Sequence, residues 1–210
     1  MHAPRFIVVC LLIVAPACLR MLTFEWNVVP IGALALFCGA HFRNRTLAFF
    51  IPLLSMFLGD ILLAVQTQNS QLYLFHTLMP FVYGCYVLSV AMGIGLRSYW
   101  DRLDEGIGHR RTDSKAGLNR KYSGFWTRVV PITSLTVAGS ILFFVVTNFG
   151  VWWLFSTYPK SWSGLLACYI AAIPYFRGTL GGDLIGSAIL FGGDQLLRHD
   201  AVAVPQSERF

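Results

Sequence analysis

Four side chains able to bind a proton or a polar solute stand inside, or at the ends of, otherwise apolar runs: Asp60, His76, Asn148 and Asp183. Polar and ionisable groups in such runs are costly to bury, so each is a functional candidate by default. Asp60 suits either a binding role or a hydrogen bond to a neighbouring helix. Asp183 opens its run and suits either ligand contact or a cap on its own helix, because an acid in a first turn complements the helix dipole. His76 reads as a proton relay, a ligand or a packed histidine. Asn148 and Trp152 are one turn apart and would present an amide and an indole on one face. Arg177 suits a substrate carboxylate or an ion pair with Asp183. Trp26 and Asn27, beside Glu25 in a polar turn, complete the set expected to line one binding site.

No residues assemble into a catalytic pattern. The chain lacks a P-loop, an HExxH and a GxSxG, and neither Ser140 nor Ser187 has an evident histidine partner. No enzymatic role, metal site or cofactor is therefore expected. The five cysteines, Cys10, Cys18, Cys38, Cys85 and Cys168, each lie in an apolar run and form no CxxC or Cys/His cluster, so they read as packing residues.

The elements that must position these groups are membrane helices. Of 210 residues, 56% are hydrophobic and 12% charged, with a mean hydropathy of +0.61. Crossing ~30 Å of hydrocarbon takes about 20 apolar residues. Apolar runs at 6–24, 28–42, 47–65, 72–96, 129–149 and 181–197 predict an all-α polytopic bundle of about six spans in a single transmembrane domain. The segment 164–176 is apolar but only 13 residues long, and Pro174 and Gly178 bracket its exit, so it is expected to be a re-entrant or interfacial helix before the last span. The first run, with Ala15-Pro16-Ala17-Cys18 near its end, faintly resembles a cleavable signal but is read as a retained span.

Charge orients the bundle. With six spans and the N-terminus inside, 13 of the 16 Lys and Arg face the cytoplasm, which predicts cytoplasmic termini and a polar cytoplasmic loop over 97–128. The net charge of +6 is better explained by orientation and membrane lipid than by nucleic acid, for which no partner role is expected. In this orientation the candidate site residues share an outer layer, together with an aromatic belt that includes Trp153, Tyr158 and Trp162. Ala35 with Gly39, and Gly182 with Gly186, have small-xxx-small spacing that suits close packing inside the bundle or docking of another membrane protein.

Asn27-Val28-Val29-Pro30-Ile31-Gly32-Ala33, Phe50-Ile51-Pro52-Leu53-Leu54 leading to Gly59-Asp60, and Thr147-Asn148-Phe149-Gly150-Val151-Trp152-Trp153 stand out, as does Gly164-Leu165-Leu166-Ala167-Cys168-Tyr169 continuing to Gly182-Asp183-Leu184. Together they resemble an uncharacterised bacterial membrane family described as similar to the substrate-binding (S) components of energy-coupling-factor transporters. That resemblance covers nearly the whole chain except 97–128. It implies six helices in the bacterial cytoplasmic (inner) membrane and a pocket for a small, vitamin-like solute near the outer face. It also implies a transmembrane coupling protein and two cytoplasmic ATPases as partners, with Ala35 and Gly39 serving the coupling contact. The competing expectation is a non-transporting membrane scaffold or assembly subunit whose polar groups satisfy only one another.

Overall fold

The structure, a computed structural model, describes the backbone of residues 3–22, 27–68, 74, 76–109 and 119–203, and side-chain surroundings over 7–105 and 126–197 of these. All regular structure in it is helical: α1 (Ala3–Leu22), α2 (Ile31–His41), α3 (Arg45–Thr67), α4 (Met79–His109), α5 (Asn119–Leu154) and α6 (Trp162–Ala203). Three of them, α3, α4 and α5, contain stretches long and apolar enough to cross a membrane. Large apolar side chains are exposed along the outside, among them Leu11 and Leu22 on α1, Ile141 and Val145 on α5, and Ile185 and Ile189 on α6. Apolar surface this continuous is a liability in water but is the normal outer face of a protein in hydrocarbon. This is an all-helical membrane protein.

The bundle is organised around the shortest of these helices. α2 is buried at Ile31, Ala33 to Leu36 and Cys38 to Ala40, and its apolar residues are spread over every side, the pattern of a helix enclosed by others. At ~1.5 Å per residue its 11 residues reach ~16 Å, about half of a ~30 Å hydrocarbon layer. The run 28–42, expected to be a span, is thus a half-length helix whose two ends pack against α6 and α4. A helix end there leaves backbone groups to be satisfied by protein. At the C-terminus Arg97 of α4 donates to the Phe42 carbonyl at 2.7 Å, and a cation suits that end of the dipole. His41, in the last turn, meets Asp194 of α6 at 3.2 Å.

Close packing seats α2 against α4. A Cβ on Gly39 would lie 2.1 Å from the Val90 carbonyl oxygen, and one on Gly93 2.2 Å from that of Leu36, so the two backbones touch where only glycine fits. This corrects the expected docking role of Ala35 and Gly39. Ala35 has no exposed surface and Gly39 is buried against α4, so neither is available to a partner protein. Gly182 and Gly186 are likewise consumed internally, against Val28, Val29 and Pro30 at the start of α2.

Two further boundaries differ from expectation. Residues 164–176 are not a separate re-entrant piece, because α6 runs unbroken from Trp162 to Ala203 through Pro174 and Gly178. Proline removes one backbone donor, but here both sides of it are fastened to α5. The Phe144 ring packs on Tyr169 and on Phe176, with centroids 5.5 and 4.9 Å apart, and the Tyr169 hydroxyl donates to the Val145 carbonyl at 2.8 Å. Similarly, 97–109 continues α4 and 119–128 begins α5, so most of the segment expected to be a loop is helical. Residues 110–118 lie outside the described residues.

Candidate functional site

The bundle has two distinct ends. One gathers the C-termini of α2 and α4 with the start of α5, and is called here the His41 end. The other gathers the start of α2, the C-terminal part of α3 and the start of α6, and is called the Asn27 end. Three arrangements of polar side chains lie at or toward the Asn27 end.

The first is a cavity of about 160 Å³ between α5, α6 and the chain entering α2. Asn27, Thr147, Asn148 and Thr179 give it polar groups, and Phe143, Phe144, Tyr175 and Phe176 give it an aromatic wall. Asn27 adopts a positive φ of 50°, which asparagine tolerates better than most residues. Its amide donates to the Thr179 hydroxyl at 2.8 Å. The Asn148 amide donates to the Phe144 carbonyl one turn back at 2.7 Å, which holds the side chain at the cavity wall. Amides and hydroxyls beside aromatic faces are the usual lining of a site for a small organic solute.

The second is a buried ion pair. Arg20 of α1 donates to Asp60 of α3 at 2.8 Å, with side-chain exposures of 17% and 0%. The Tyr83 hydroxyl donates to the other carboxylate oxygen at 3.1 Å. Gly59 makes the approach possible, since a Cβ there would lie 2.7 Å from Arg20 Cδ.

The third is a helix cap built from another helix. Asp183 of α6, 4% exposed, accepts from the Ala33 N–H at 3.0 Å and from the Ser140 hydroxyl at 2.8 Å. A Cβ on Gly32 would lie 2.6 Å from the same carboxylate, so glycine is what lets the acid reach the amides. An anion at a helix N-terminus meets both free donors and the positive end of the dipole. One turn along, the hydroxyls of Thr136 and Ser187 are 2.8 Å apart. Asp183→Leu should therefore cost about 1–3 kcal/mol, because it strands the α2 amides and a buried hydroxyl. Asp183→Asn, which keeps an acceptor oxygen, should cost less. Thermal melting in detergent checks both, and a Leu variant as stable as wild type would contradict the cap.

A model described as Family of unknown function (DUF6580) matches residues 1–206. The chain belongs to that family. No curated protein and no solved structure matches it.

In this DUF6580 member the residues expected to share one site are divided. Asn27 and Asn148 do meet, at the cavity. Asp60 is removed from it, with both carboxylate oxygens bonded to Arg20 and Tyr83. His76 precedes α4, half-buried and in electrostatic range of Asp60 and Arg20 rather than lining the cavity. Asp183 caps α2 instead of its own helix. Arg177 is exposed on α6 and does not pair with Asp183, which is buried six residues further along the helix. Trp152 does not follow Asn148 into the cavity: its indole donates to the Pro159 carbonyl at 2.8 Å and lies under the Lys160 ammonium, 5.5 Å from the ring centroid. Lys160 also donates to the carbonyls of Trp152, Trp153 and Phe155, so Trp152 belongs to the C-terminal cap of α5. Trp26 lies outside the described residues.

Sequence reasoning missed Thr147, Thr179, Ser140 and the Arg20–Asp60 pairing. One signal was available: Thr136, Ser140 and Thr147 recur at helical spacing, which marks a polar stripe on α5, and all three are buried.

Proposed function

We propose that this chain is a solute-binding subunit of a membrane uptake system, similar in role to the S components of energy-coupling-factor transporters, and that it binds its solute in the Asn27–Asn148 cavity. The observation that carries this reading is the lining: two amides and two threonine hydroxyls converge on an aromatic-walled space at a bundle end. At about 160 Å³ it is close to the ~150 Å³ of an engineered cavity that binds benzene, which points to a ring-sized solute or the ring of a larger one. Arg43, Arg45, Arg97, Arg102 and Arg128 belong to the His41 end, so the positive-inside bias makes that end cytoplasmic and opens the cavity outward. In this reading the chain is a multi-pass protein of the bacterial inner membrane with both termini inside. Its partners are a transmembrane coupling protein and cytoplasmic ATPases, and the coupling contact lies elsewhere than Ala35 and Gly39.

A second reading, a non-transporting scaffold, draws on the Arg20–Asp60–Tyr83 and Asp183–Ser140 networks, whose members satisfy one another. Melting temperatures measured against a panel of single-ring vitamins and their precursors separate the two. A ligand that binds only the folded state raises the melting temperature. Asn148→Ala should weaken that ligand roughly 5- to 150-fold, the effect of losing a polar contact worth ~1–3 kcal/mol. If no compound shifts the wild type while Asn148→Ala merely lowers stability, the scaffold reading stands and the transporter reading falls.

A further inference from the structure

A second cavity, larger at about 280 Å³, lies at the opposite, His41 end, between α5 and α6 and closed behind by His41 of α2 and Trp100 of α4. Its lining changes along the helices. Arg128 on α5 and Asp194 and Gln195 on α6 stand at the bundle end. Over the next two turns toward the middle the wall is mixed, with Val129, Ile132, Phe191, Ala188 and Leu184 beside the hydroxyls of Thr133, Thr136 and Ser187. The mouth opens sideways: Arg128, Thr133, Ala188 and Gln195 are exposed, and Val130 and Ile189 beside them are 54% and 67% exposed on the outer apolar surface.

We propose that this cavity is a binding site for an anionic phospholipid, with its phosphate at Arg128 and the start of an acyl chain along Val129, Ile132 and Ala188. A lining charged at one end and mixed apolar and hydroxyl beyond it suits a phosphate followed by glycerol ester groups and the start of an acyl chain, and the sideways mouth meets the surface where lipid lies. Asp194, in the same lining, is engaged by His41 at 3.2 Å, which leaves Arg128 to meet the head group. The Arg128 guanidinium is 5.5 Å over the Trp100 ring, which fixes its position. Its contact with Asp104 is 3.6 Å long between side chains that are 49% and 65% exposed, too weak a pair to withhold it from a phosphate. A guanidinium meets a phosphate through paired N–H donors. The volume is nearly twice that of a ~150 Å³ cavity that holds benzene, enough for part of a head group and the first methylenes.

Gly192 supplies a clean test. It lines the cavity, and a Cβ added there meets nothing within 4 Å, so a leucine side chain can start there without a clash and extend into the space a lipid would need. Replacing a helix-interior glycine with leucine also favours the helix. Native mass spectrometry of the full chain in detergent, titrated with phosphatidylglycerol, phosphatidylcholine or glycerol 3-phosphate, reads the binding. Wild type should take up one phosphatidylglycerol about tenfold more tightly than phosphatidylcholine, and Arg128→Gln should erase that preference, as expected for loss of one charge-assisted contact. Gly192→Leu should abolish the tight uptake with an unchanged or higher melting temperature. Phosphatidylglycerol binding that is unaltered in Gly192→Leu would mean surface lipid only and overturn the proposal. Glycerol 3-phosphate binding as tight as that of the lipid would make the ligand a soluble phosphate and overturn it as well.

Discussion

Replacing Asp60 with leucine should be among the most damaging single changes to this protein, at a cost of about 3–5 kcal/mol, because it leaves a buried guanidinium without its counter-charge. Arg20 is 17% exposed, and its Nε already lacks a partner among the described residues, so the carboxylate is what makes its burial tolerable. The Tyr83 hydroxyl loses its acceptor in the same step. Arg20→Leu alone should cost a comparable amount by stranding Asp60, which has no exposed surface. The double variant is the decisive member of the set. With both charges gone the site becomes apolar, and replacing a whole buried pair is commonly neutral or stabilising. Melting temperatures of the four proteins form a double-mutant cycle. Near-wild-type stability of the double variant alongside two crippled singles is the expected result, whereas additive losses would show that the two residues act separately.

Gly39→Ala should also be severe. Its new methyl would sit 2.1 Å from the Val90 carbonyl oxygen, which is backbone and unable to swing aside. Overpacking typically costs 1–3 kcal/mol, and a rigid backbone contact places this change at about the top of that range. Gly93→Ala meets the Leu36 carbonyl in the same way and should behave alike. Gly95, two residues on, is the control: a Cβ there meets nothing within 4 Å. Gly95→Ala should raise stability by up to about 1 kcal/mol through helix propensity alone. Equal effects at Gly39 and Gly95 in melting experiments would contradict the close α2–α4 contact.

What the sequence disclosed follows what is local in it. Length and apolarity reveal helices, so α3 and the apolar parts of α4 and α5 were legible as membrane helices. Residue type and spacing also brought Asn27 and Asn148 into one candidate set. Partnerships across the bundle were not legible, because nothing near Asp183 in sequence announces that its acceptor serves an amide 150 residues away. Nor does anything near Arg20 announce Asp60, which is 40 residues away along the chain. The half-length of α2 was hidden for a related reason: its apolar run continues to Phe42, and only packing against other helices decides where the helix begins and ends. Pro174 misled in the opposite direction. It signals a break, but Phe144 and Tyr169 of the α5–α6 contact hold the helix together on both sides of it.

Solute binding at the Asn27 end is tested most directly by native mass spectrometry of the protein purified in mild detergent, run beside an Ala172→Phe variant. Ala172 lines the 160 Å³ cavity, so an aromatic ring at that position occupies the space a solute would need. A solute-binding subunit should carry a single retained small molecule, released on collisional activation, and the Ala172→Phe protein should fold and carry none. A wild-type protein that stays empty through purification and through incubation with single-ring vitamins and their precursors, or a retained molecule equally abundant on Ala172→Phe, would contradict binding at this cavity.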